Sequence, residues 1–148
     1  MTAPPHPPAD HQTPAPPLCR RIGMAGALLA GLAVGFGAFG AHGLKDQIAP
    51  EHLAIWNTAS DYLAWHGVAL LALAALLRGQ ATLAKTKLVA IASSLLLAGI
   101  LVFSGSLYLL VLTGVGLWGA VTPLGGSALV VGWLTLAGAI WRTGANSD

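Results

Sequence analysis

The chain has 148 residues, of which 55% are hydrophobic and 8% charged, with a net charge of +2 and a mean hydropathy of +0.74. A soluble domain carries roughly a quarter charged residues, so this composition excludes a water-coated globule and requires a lipid-facing protein. One cysteine, Cys19, excludes an intrachain disulfide and a Cys₂His₂ zinc site, and no basic-aromatic interleaving points to nucleic acid as a partner.

Seven of the nine prolines fall between Met1 and Leu18. Proline removes backbone donors and fixes φ, so residues 1–19 are expected to form a disordered, polyproline-like cytoplasmic tail. His6 and His11 are read there as solvated tail histidines, since a floppy pair has no preformed metal geometry. Cys19 beside Arg20 and Arg21 is read as an unmodified thiol in preference to an acylation site.

Residues 20–142 are expected to form a transmembrane domain of four spans, at about 22–42, 62–77, 88–112 and 123–141, followed by a short cytoplasmic tail at 143–148. The first span belongs to Ile22–Leu44, which has no charge and seven glycines, too many for a stable water-exposed helix. In lipid, small residues let a neighbouring helix approach closely. Gly23, Ala27, Gly31 and Gly35 recur every fourth position and are predicted as the packing stripe.

Ala41–Ser60 carries Lys45, Asp46 and Glu51 and is read as the first outer connection. Pro50-Glu51 is a helix-start signal, predicting a short interfacial helix with Trp56 as a headgroup-level anchor, either separate or running straight into the next span. The second span, Tyr62–Leu77, is bracketed by Asp61 and Arg78. After the basic turn at 78–87, no charge occurs before Arg142. As one helix that run would be about 80 Å long, so it crosses twice. The break is predicted within Thr113–Gly126, with Thr122 capping a fourth helix that starts at Pro123.

Of the seven lysines and arginines, Arg20, Arg21, Arg78, Lys85, Lys87 and Arg142 fall on one side of this arrangement and Lys45 on the other. The positive-inside rule then places both termini in the cytoplasm. The fold class is all-α: an integral-membrane antiparallel four-helix bundle with a short interfacial helix in its first outer loop.

The polar residues gather at the outer end. The candidate cluster is His42, Asp61, His66, Ser104, Ser106 and Tyr108. His66 lies roughly 7 Å inside the span past Asp61, and an ionisable group at such depth is a functional candidate by default. A proton relay, or a metal or haem site shared with His42, are the functional readings. Interhelical glue, with a neutral imidazole hydrogen-bonded to a facing serine or tyrosine, is the favoured plainer one. Asp61 is read as a helix cap or partner of His66 rather than a catalytic base. Ser104-Gly105-Ser106 lacks the nucleophile-elbow pattern, and Gly114–Gly119 lacks the lysine of a phosphate loop.

The segments GAFGAHGL (37–44), WNTASDYLAWHGVALL (56–71), FSGSLYLLVLTG (103–114), TPLGG (122–126) and GW (132–133), in this order, resemble the family called domain of unknown function 423 (DUF423), the YgdD-like proteins. The resemblance implies a four-helix protein of the bacterial inner membrane and no established activity. It also implies motif positions at His42, Trp56, Asp61, His66, Ser104, Ser106, Tyr108, Thr122, Pro123 and Gly126.

These features together favour a non-enzymatic structural or accessory bundle. No cofactor is expected. The partners are the bilayer and either a second copy or another membrane protein. The alternatives are a small transporter or channel, disfavoured by the lack of an acid inside any span, and a metal- or haem-binding protein using His42 and His66.

Overall fold

The computed structural model describes residues 17–144, and among them it is helical with no strand. The proline-rich segment before Pro17 and the last four residues, 145–148, lie outside the described residues, and so do the expectations for a disordered tail, for His6 and His11, and for the end of the C-terminal tail. Helix α1 spans Pro17–Phe39 and continues into one π-helical turn, Gly40–Leu44. Helix α2 spans Pro50–Gly79, the short α3 spans Ala81–Ala84, α4 spans Lys87–Thr113 and α5 spans Leu117–Gly144. Four of these stretches are long and apolar enough to cross a membrane.

Residues Pro17 to Cys19, assigned from sequence to the tail, are helical. Proline is accepted in a first helical turn because its missing donor would have no intrahelical partner there. The helix expected to start at Pro50 runs without a break into the second span, the continuous one of the two arrangements expected from the sequence. Pro50 does start a helix, with Ala49 extended before it and Glu51 in its first turn, but nothing stops that helix before Gly79. Trp56 is not an interfacial anchor. It is 2% exposed and enclosed by protein.

The last break is also shorter than expected. Helix α4 ends at Thr113 because Gly114 turns left-handed at φ +67°, its N–H capping the Leu110 carbonyl. Helix α5 has begun by Leu117, so Pro123 lies inside it and Thr122 is no N-cap. Proline forfeits one helical hydrogen bond there and its ring crowds the carbonyl four residues back, which belongs to Gly119. At the other end of α4, the Thr86 hydroxyl caps the Val89 N–H at 3.4 Å.

The helices pack in a row: α1 on α2, α2 on α4, and α4 on α5, with α1 reaching α4 at few points. Two antiparallel hairpins are thus joined along α2 and α4. Each hairpin is held by backbone approaching backbone at glycine. A methyl group on Gly26 would stand 2.7 Å from the Gly67 carbonyl oxygen, and one on Gly67 would stand 2.7 Å from the Ala30 nitrogen. In the second hairpin Gly125 lies directly on the backbone of Phe103. Lipid is as apolar as a leucine side chain, so helices associate by such close van der Waals contact.

The stripe expected to do this packing faces elsewhere. Ala27, Gly31 and Gly35 are exposed, and Gly23 alone of the four meets α2, beside Ala74. The buried face of α1 is Ile22, Gly26, Leu29 and Ala33. Large apolar side chains such as Leu28, Val34, Leu101, Leu124 and Leu134 point outward, as lipid contact requires.

Gly67→Leu should destabilise the protein by about 3 kcal/mol through overpacking, whereas Gly31→Ala should change stability by less than about 0.5 kcal/mol. Thermal unfolding in mild detergent, followed by circular dichroism, reads both.

Candidate functional site

The end of the bundle away from the basic turn at 78–87 contains a buried polar and aromatic knot contributed by α1, α2 and α4. Its centre is Trp56, whose indole N–H donates to the Phe36 carbonyl at 2.7 Å. Gly40, the first residue of the π-helical turn, makes room for it: a methyl group there would stand 2.6 Å from the indole. The rings of Phe36, Trp56 and Tyr108 pack mutually, with centroids 4.6 Å apart for Phe36–Tyr108 and for Trp56–Tyr108 and 5.9 Å apart for Phe36–Trp56.

Tyr108 then joins the knot to a directed hydrogen-bond chain. The Ser60 hydroxyl donates to the Trp56 carbonyl at 3.0 Å, so the Tyr108 hydroxyl, 3.0 Å from Ser60 Oγ, donates to it. Ser104, 1% exposed, donates across from α4 to the Ala59 carbonyl of α2 at 2.8 Å. Ser106 faces the other way, its hydroxyl 2.8 Å from that of Thr122 on α5. The Phe103 and Trp118 carbonyls lie 2.9 and 3.1 Å from these two hydroxyls, so one hydroxyl donates across and the other to its own helix. No buried side-chain polar atom among the described residues lacks a partner.

His66 is 8% exposed and sits apart from this knot. Its Nδ1 lies 2.8 Å from the Tyr62 carbonyl, and its Nε2 accepts from the Trp133 indole N–H at 3.3 Å. A carbonyl can only accept and an indole N–H can only donate, which assigns a neutral imidazole with its proton on Nδ1. His66 therefore bridges α2 to α5. The bridging role matches the glue reading, but with tryptophan in place of the expected serine or tyrosine. Beside it, Tyr62 stacks on Phe103 with centroids 4.6 Å apart. These side chains line an open groove of about 610 Å³ between α2, α4 and α5, walled by Leu129, Val130 and Val131.

The remaining candidates do not join either group. His42 is exposed in the π-helical turn. Gly67, next to His66, packs against Ala30, which precedes His42 on α1 by about 18 Å of helix rise. The two histidines are therefore not brought together, contrary to the shared site considered from sequence. Asp61 is exposed on the middle of α2, so it caps no helix, and the ring nitrogens of His66 bond to Tyr62 and Trp133 rather than to it. Among the described residues, no three of His, Cys, Asp and Glu are grouped as a metal site would need. Cys19 is a buried free thiol, packed with the core of α1.

Sequence reasoning missed Ser60, Phe36 and the pairing role of Trp133. Ser60 leaves a faint signal, since it lies four residues after Trp56 and so on the same helix face. Trp133 stands in the GW segment of the resemblance, but its partner leaves no signal, because a tryptophan in an apolar helix reads equally as lipid-facing.

A family profile described as "Protein of unknown function (DUF423)" matches residues 36–126, a stretch that contains the knot, His66 and Ser106 with Thr122. The UPF0382 membrane protein of Staphylococcus epidermidis is 47% identical over 111 residues, covering 75% of this chain and 87% of that protein. The UPF0382 membrane protein YwdK of Bacillus subtilis is 42% identical over 111 residues, covering 75% of this chain and 88% of its own. No solved structure matches the chain significantly.

A double-mutant cycle of Ser60→Ala with Tyr108→Phe should give a coupling of about 0.6 kcal/mol, typical of a hydrogen bond between membrane helices. Trp56→Phe alone should cost about 1 kcal/mol or more, because the Phe36 carbonyl loses its donor. Unfolding in detergent measures both.

Proposed function

We infer, for a chain that belongs to the DUF423 family of membrane proteins, a non-enzymatic structural or accessory role in the bacterial inner membrane. The observation that carries this reading is how the buried polar groups are used. Ser60, Ser104, Tyr108, Trp56 and His66 each spend their hydrogen bonds on another part of the same bundle. A catalytic or transporting site instead keeps polar groups free to meet a substrate. The relatives' name adds membrane residence and nothing of activity.

Four apolar helices support the inner membrane, since outer-membrane proteins cross as barrels. The six-to-one distribution of lysine and arginine supports cytoplasmic termini. We take the bundle to work without a cofactor and to associate with a second copy or another membrane protein.

The transport alternative makes the opposite prediction. Purified protein in proteoliposomes should show no ion or proton flux above that of empty vesicles, with or without His66→Ala. A flux abolished by His66→Ala would overturn the accessory reading. Fluorescent-protein fusions to either terminus should both fluoresce, as expected for ends in the cytoplasm, and a dark fusion at one end would overturn that orientation. In mild detergent the protein should run as an oligomer; a strictly monomeric species would remove the self-association.

A further inference from the structure

We propose that the groove between the first turns of α1 and the last turns of α2 is a binding site for an anionic phospholipid. Arg20 and Arg78 hold its headgroup phosphate, and one acyl chain lies along the groove below them.

The groove has a volume of about 360 Å³ and is lined by Arg20 and Arg78 at one end and by Gly23, Met24, Leu71 and Ala75 along its length. Small residues create it. Gly23 and Ala75 withhold side-chain bulk where two helices meet, and Met24 and Leu71 form apolar walls that are themselves open to lipid. The shape therefore combines a cationic mouth at the membrane edge with an apolar trough running toward the bilayer centre, which is the polarity sequence of a phospholipid.

Charge identifies the occupant. The only acids among the described residues are Asp46, Glu51 and Asp61, all on the half of the bundle away from Arg78. Among the described residues, the end that holds Arg20, Arg21, Arg78, Lys85, Lys87 and Arg142 contains none, so no described carboxylate neutralises these cations. Arginine pairs with phosphate through two parallel N–H donors, and a pair of guanidiniums on one groove matches a phosphodiester better than either alone. Basic pockets between membrane helices recognise anionic headgroups on this principle. The second groove at this end, between α1, α2 and α4, has a single arginine, Arg21, and lacks that pairing. The proposal requires only that this end of the bundle lies at a membrane surface, so it stands or falls separately from the accessory role.

Native mass spectrometry of the full chain, released from detergent with added phosphatidylglycerol or with phosphatidylcholine of the same acyl chains, tests the site. The wild type should retain phosphatidylglycerol in clear preference to phosphatidylcholine. Arg20→Ala/Arg78→Ala should weaken that retention on the order of tenfold or more. Lys85→Ala/Arg142→Ala removes the same charge outside the groove and should leave retention close to wild type. Ala75→Trp keeps both arginines while filling the trough, and should also lose the lipid. Circular dichroism melting confirms that each variant is folded, and Ala75→Trp carries the test if the double arginine variant is not. Equal retention of the two lipids, equal loss in both charge-removing variants, or wild-type retention by Ala75→Trp would each overturn the proposal.

Discussion

Close backbone contact at glycine is the constraint on which this structure depends. In water, burying apolar surface would hold the helices together. In lipid that drive is missing, and dispersion between atoms at short range must supply the cohesion. Gly26 against Gly67 in one hairpin, and Gly125 against Phe103 in the other, bring the main chains nearer than any side chain allows. The same need explains Gly23 and Gly26 of α1, which meet α2, but not Gly31, Gly35 or Gly37, which face open space. Each hairpin is defined first by where its two backbones can touch.

Polar contacts then fix how the two hairpins register on each other. Ser104 and Tyr108 of α4 reach the Ala59 carbonyl and Ser60 of α2, and the Phe36–Trp56–Tyr108 rings tie in α1 at the same level. Toward the bilayer centre His66 reaches α5 through Trp133. Hydroxyls and an imidazole left unpaired at these depths would each cost considerably more than the modest worth of a formed bond. The polar groups therefore act chiefly by excluding other alignments, because any slip of α2 against α4 would break several at once.

Much of the architecture could be read from the residues, and the reasons for the errors are physical. Span number followed from charge spacing, since a 54-residue uncharged interval after Lys87 is too long for one crossing. Helix faces did not follow. Helix α1 is small and apolar on all sides, so several i, i+4 stripes compete. Ala27, Gly31 and Gly35 make the most regular one and face outward, while the buried Gly26 shares its stripe with Ile22 and Val34. Trp56 is buried, although an aromatic near a charged loop usually marks the interface. Only the tertiary pocket beside Gly40 shows that it is buried. The Ser106–Thr122 pair joins residues sixteen apart across a turn, and no local pattern marks which hydroxyls will meet.

The arrangement in a row also bears on biogenesis. Helix α1 makes its main contacts with α2 and hardly any with the second hairpin, and α5 leans almost entirely on α4. The amino-terminal pair thus contains its own partners and can complete its packing while the ribosome is still producing the remainder. The carboxy-terminal pair packs on itself in the same way, while Ser104, Tyr108 and Trp133 find their partners only on α2. Joining the two hairpins is then a matter of matching the polar groups of α2 to those of α4 and α5, a step that the basic turn between them only tethers.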